Sequence, residues 1–165
     1  MRVLVRKLRS GFRQPAFVLL WLAPVWLLLG LCRVLIRLVS FRRLASLLGV
    51  PHGTCASVPL ASRSQQQRAA KIGRVVRLAA RHAPWELNCY PRSLTACVLL
   101  RLYRIPHCLC FGVAQDPAAS GFSAHAWTAA GSVRVTGGES FGRYTVLACF
   151  VSLPGGADRQ VVQQD

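Results

Sequence analysis

The sequence predicts an α+β fold, in which a helical N-terminal region precedes a cysteine-bearing helix packed on a small antiparallel sheet. Three observations carry this. Apolar residues recur at helical spacing among arginines through the first half; an apolar helix opened by Pro91 follows; strand-like runs then succeed one another, two of them joined by Ala130-Gly131. At 165 residues the chain accommodates one domain of ordinary size. It divides into a basic, apolar helical region (1–50), a connector with an amphipathic helix (51–83), a core (84–153) and a flexible tail (154–165).

Taken in order, residues 16–32 (AFVLLWLAPVWLLLGLC) are uncharged and apolar, and Pro24 interrupts them. Seventeen residues lie at the short edge of a membrane span. Arg2, Arg6, Lys7, Arg9 and Arg13 precede the run and Arg33, Arg37, Arg42 and Arg43 follow it, so flanking charge assigns no orientation. No small-x-small cleavage site closes it, which argues against a signal peptide. A packed or interfacial helix is favoured over a true span, and both readings are carried forward. Leu35, Ile36, Leu38, Val39, Leu44, Leu47 and Leu48 continue the helical spacing.

Residues 49–61 read as a turn-rich connector. A helix then begins at Ser62 or Ser64 and runs to about Arg81, with Ile72, Val75, Val76 and Ala79 on one side and Pro84 beyond its end. Pro91 suits a first helical turn, and Leu94 to Tyr103 forms an apolar helix that stops before Pro106. Strands are expected over His107–Ala114, Phe122–Ala129, Ser132–Thr136 and Tyr144–Phe150, with a hairpin turn at Ala130-Gly131.

Charge is unevenly spread. Residues 1–81 hold fifteen Lys/Arg and no acid, whereas residues 82–165 hold six Arg against five acids. Such a half suits an acidic partner or a membrane surface, but solvated arginine-rich helix faces are the favoured reading. No zinc-finger spacing, RNA-binding signature or aromatic–basic interleaving appears, so nucleic acid is not expected as a partner. Seven cysteines, an odd number, among apolar neighbours indicate reduced thiols in a cytoplasmic setting. Alternation puts Cys108 and Cys110 on one strand face, but no second ligand pair has zinc-site spacing, and no metal is expected.

Chemistry points to two residues. Cys89, within Pro84-Trp85-Glu86-Leu87-Asn88-Cys89-Tyr90-Pro91, falls at a helix start, where unpaired amides favour a thiolate and later an oxyanion. Cys97, two turns further on, reads as core. His125 lies mid-strand between Ala124 and Ala126, with Trp127 on its face. Taken singly, such a cysteine is more often a buried packing thiol and such a histidine a satisfied core residue. Together, a thiol at a helix start and a histidine on a following strand form the arrangement of a nucleophile and its base.

The stretch from Pro84-Trp85 through Cys89 and Arg101-Leu102-Tyr103-Arg104-Ile105-Pro106 to Ala124-His125-Ala126-Trp127, then Val135-Thr136-Gly137-Gly138-Glu139 and Gly142-Arg143-Tyr144-Thr145, resembles the lasso-peptide leader peptidases. These are transglutaminase-like cysteine proteases related to the C-terminal domain of a microcin-processing protein. Likeness is weaker upstream, in the leucine-rich helix and Phe41-Arg42-Arg43-Leu44. The resemblance implies a transglutaminase/papain-like core in which Cys89 attacks the leader–core bond of a precursor peptide. His125 would act as base and then acid. It implies no intrinsic cofactor, and any nucleotide dependence of a partner complex is not legible here. A separate leader-recognition protein and an ATP-dependent lasso cyclase are the implied partners, because no winged-helix leader-binding module is evident.

The family's third catalytic member, an acid about a dozen residues after the histidine, would fall near Gly137. Only Glu86, Asp116, Glu139, Asp158 and Asp165 are acidic. Hairpin pairing about Ala130-Gly131 sets Thr136 opposite His125 and leaves Glu139 just past the strand end, so Glu139 is the candidate orienter. A backbone carbonyl or Thr136 is the alternative. Trp85 and Trp127 are candidates to wall a substrate pocket, against a plain core role, and the 116–121 loop to border it. Two rival functions stand: another transglutaminase-fold amide hydrolase or acyltransferase, and a non-catalytic membrane-associated scaffold.

Overall fold

The computed structural model describes residues 16–115, 121–138 and 142–154. Glu139, most of the 116–121 loop and the tail beyond Pro154 lie outside the described residues.

Helix α1 (Ala16–Leu38) runs through Pro24 without a break. Proline within a helix costs about 3 kcal/mol through a lost hydrogen bond and a ring clash. Burial of Val25 and Leu29, each fully inaccessible, returns about 1.5–3 kcal/mol per side chain and outweighs it. After α2 (Phe41–Ala45) and the short strand β1 (Val50–Pro51) comes α3 (Arg63–Arg81). Its start is set by a capping box: the Gln65 amide donates to Ser62 Oγ at 3.3 Å, and the Ser62 amide to Gln65 Oε1 at 2.9 Å. Helix α4 (Cys89–Leu102) follows. Val25 and Leu29 of α1, Ile72 and Val76 of α3 and Leu99 and Leu100 of α4 share one core.

Strands β2 (His107–Gln115), β3 (Phe122–Ala130), β4 (Val133–Arg134) and β5 (Thr145–Ser152) join β1 in a five-stranded antiparallel sheet of order β1-β5-β2-β3-β4. Helices thus precede a small antiparallel sheet, an α+β layout with an N-terminal helical region, as the sequence predicts. Two details differ. Strand β1 arises inside the expected connector, because Val50 and Pro51 pair with Val151 and Phe150. The run 132–136 yields only Val133–Arg134, since the amides of Val135 and Thr136 both turn to the Thr128 carbonyl and end the ladder.

One sheet face carries Leu109 and Phe150 against Leu94 and Cys97 of α4. The opposite face carries Cys108, Cys110, Trp127, Cys149 and Val151. The connector crosses this second face: the Cys149 amide donates to Gly53 at 2.9 Å, and the Gly131 amide, at the β3–β4 turn, donates to Pro59 at 3.3 Å.

Candidate active site

A cleft of about 610 Å³ opens between the start of α4, the outer part of α3, strand β3 and the segment after β4. Asn88, Cys89 and Arg92 line it from α4, Val76 and Arg77 from α3, Ala124 and His125 from β3, and Thr136, Gly137 and Gly138 complete it. Cys89 and His125, single residues drawn from seven cysteines and four histidines, therefore meet in one cavity.

Cys89 is the first residue of α4. Asn88 occupies the cap position with extended backbone and makes no side-chain capping bond to the opening amides of the helix. The helix start is held from both sides. Tyr90 packs edge-on against Phe111 at 5.2 Å and tilts against Phe41 of α2 at 6.3 Å. Ser93, one turn beyond Cys89 and fully buried, donates to the Ala126 carbonyl at 3.0 Å and accepts from Thr136 Oγ1 at 2.9 Å. Thr128 closes the network: its amide donates to Thr136 Oγ1 at 3.1 Å and its hydroxyl to the Ser93 carbonyl at 3.3 Å. The hydroxyls of Ser93, Thr128 and Thr136 are thereby paired, and the Cys89 helix is tied to the His125 strand and to the segment bearing Gly137.

The His125 ring bonds the Gly137 backbone, and its Nε2 has no hydrogen-bond partner, so the bond to the Gly137 carbonyl falls to Nδ1. Burial holds the His125 pKa below its ordinary 6.5, with the Gly137 bond acting in the opposite direction. A neutral imidazole donating through Nδ1 carries its lone pair on Nε2, the tautomer a general base requires. Behind the ring, Trp127 stacks at 6.3 Å and Tyr144 at 5.0 Å.

Among the described residues, the group that meets the His125 ring is the Gly137 backbone, one of the alternatives to an acid, at the place where the resemblance called for one. Its placement follows from the hairpin. Ala130 pairs with Val133, so the turn occupies Gly131-Ser132, one residue later than expected. The returning chain slides accordingly: Thr136 meets Thr128 rather than His125, and its hydroxyl is committed to the Ser93 network. Gly137 has φ +82°, and a Cβ there would stand 2.2 Å from Trp127 Cβ, so only glycine brings this carbonyl to the ring. Glu139 lies outside the described residues.

Neither tryptophan lines the cleft. Trp85 lies tilted against Trp26 at 4.8 Å and sits over Gly30, filling the seam between α1 and the approach to α4. Trp127 is 1% exposed and braces His125 from beneath. Both pocket-wall expectations are corrected to packing roles, which the apolar bulk of indole serves best. Sequence reasoning missed Ser93, Thr128 and Thr136 as a network, although Ser93 stands four residues from Cys89 and so on the same helix face. It missed Arg77 and Arg92 as cleft residues. It also missed Cys149, which β5 delivers beside Cys108 and Cys110. Hydrogen bonds from those two thiols hold Cys149 below the ordinary thiol pKa, while the bond to Cys149 and burial push Cys110 above it.

A model of the transglutaminase-like superfamily matches residues 32–149, which span the cleft and both Cys89 and His125. No curated protein and no solved structure matches the chain significantly.

Proposed function

The chain belongs to the transglutaminase-like superfamily, a fold of cysteine hydrolases and acyltransferases, and on that premise we propose that it is a cysteine peptidase removing the leader from a lasso-peptide precursor. The observation that carries the reading is the shared cleft: Cys89 at an uncapped helix start, and His125 with a free Nε2 and an anchored Nδ1.

In this reading the Cys89 thiol gives its proton to His125 Nε2, and the thiolate attacks the carbonyl carbon of the scissile bond. The opening amides of α4 stabilise the oxyanion. Collapse expels the amine of the core peptide, which takes the proton from His125 and leaves an acyl-enzyme on the leader side. Water, deprotonated by His125, then releases the leader carboxylate and restores the thiol. The leader–core specificity rests on the motifs around Cys89 and His125. The same acyl-enzyme met by an amine would give acyl transfer.

The partners belong to the same proposal: a precursor peptide, a separate leader-recognition protein and an ATP-dependent cyclase. A membrane surface is also proposed, through α1. Incubating precursor, recognition partner and protein should yield free leader and core, and Cys89→Ala should lower the rate by at least ~10³-fold. Equal cleavage by Cys89→Ala would refute the cysteine-peptidase reading.

A further inference from the structure

On the sheet face away from α4, three thiols converge. Strand alternation points Cys108 and Cys110 to this face, and the β2–β5 register sets Cys149 directly opposite Cys110. All three side chains are fully buried, and their Sγ atoms lie within 4.8 Å of one another. The Cys110 and Cys149 sulfurs are 3.3 Å apart, and Cys149 Sγ also approaches the Ser57 carbonyl at 3.7 Å. Val151, Ala129 and Trp127 wall the cluster with apolar surface.

A metal–thiolate bond of about 2.3 Å puts the sulfurs of a three- or four-coordinate centre about 3.8–4.0 Å apart. The 3.3 Å Cys110–Cys149 separation and the 4.8 Å limit on the other pairs leave that range within reach of small side-chain rotations. Among the described residues no histidine, carboxylate or fourth thiol joins the group. Structural zinc takes four donors, whereas soft monovalent copper is satisfied by three sulfurs. We propose that Cys108, Cys110 and Cys149 form a buried three-thiolate site for a soft monovalent cation of the copper(I) class. The ion replaces the thiol protons, which pass to solvent, and no sulfur is oxidised. From the connector, the Ser57 carbonyl reaches the cluster at Cys149 Sγ, 3.7 Å away.

The site is separate from the proposed peptidase chemistry, and its test does not read activity. Reduced full-length protein is titrated anaerobically with copper(I) against a colorimetric copper(I) chelator. Wild type, Cys89→Ala and Cys55→Ser are each expected to retain about one equivalent, and Cys149→Ser to lose affinity at least ~10-fold. Retention should also weaken as pH falls, because protons compete for the thiolates. Complete stripping of wild type by the chelator overturns the proposal, as does equal retention by Cys149→Ser. Should that variant fail to fold, X-ray absorption on the copper-loaded wild type decides: an all-sulfur first shell is expected, and a shell containing nitrogen or oxygen overturns the site.

Discussion

His125 shows how much a single residue's surroundings decide. Its Nδ1 is held by a backbone carbonyl, which fixes tautomer and ring plane without introducing a second charge. Burial is the larger influence on its pKa and favours the neutral ring. Because the folded pKa lies below 6.5, the unfolded chain binds a proton first as pH falls. The stability this histidine permits is therefore complete above 6.5 and drains as pH drops from there toward the folded pKa. Activity should follow the same sense: kcat/KM holds through neutrality and falls on an acid limb whose midpoint lies below 6.5. A pH–rate profile checks this, and a midpoint above 6.5 would contradict it. Cys89 and His125 were legible in the sequence because helix-start and mid-strand positions follow from local patterns. The Gly137 backbone partner of the ring was not, because it is a main-chain atom whose position depends on one residue of turn register.

At the scale of elements, the Ser93–Thr136–Thr128 network joins the Cys89 helix to the His125 strand. Ser93→Ala strips a donor from the Ala126 carbonyl and the acceptor from the Thr136 hydroxyl in a dry interior, at about 1–3 kcal/mol. Denaturant unfolding should show that loss. A purely structural role predicts unchanged kcat in the folded fraction; the coupling described here predicts a fall in kcat, as Cys89 and His125 lose registry. The helices were legible from caps and periodicity: Ser62 and Gln65 bracket α3, and Pro91 opens α4. Strands β2, β3 and β5 were legible from apolar runs. Their pairing was not, because β2 lies between β3 and β5 by contacts distant in sequence, and only that order brings Cys149 to Cys110.

For the whole molecule, α1 carries two apolar faces. Val25, Leu29 and Cys32 pack inward, while Leu20, Leu27, Leu31, Val34 and Leu38, 50–78% exposed, form a stripe on the outside. Length and composition alone would let this helix cross a membrane. Its burial against α3 and α4 ties it to the core, which fits the proposed surface contact better than a span. The formal charge of +16 makes anionic lipid the matching surface. The full chain should co-sediment with vesicles containing phosphatidylserine, less so at high salt, and Leu27→Asp/Leu31→Asp should abolish binding while leaving the fold intact. Wild-type protein that ignores such vesicles at low salt would exclude this contact. The N-terminal segment was ambiguous in sequence for a physical reason: a buried helix face and a lipid-facing one are written in the same residues.

The central claim, that Cys89 and His125 work as a pair, can be tested without knowing the substrate. Alkylation of each cysteine by a small electrophile is followed by mass spectrometry at neutral pH, with exposed Cys55 as the internal reference. Cys89 should react at least ~10-fold faster than Cys55, and His125→Ala should remove the difference. Equal rates for the two thiols, or a Cys89 rate unchanged in His125→Ala, would contradict it.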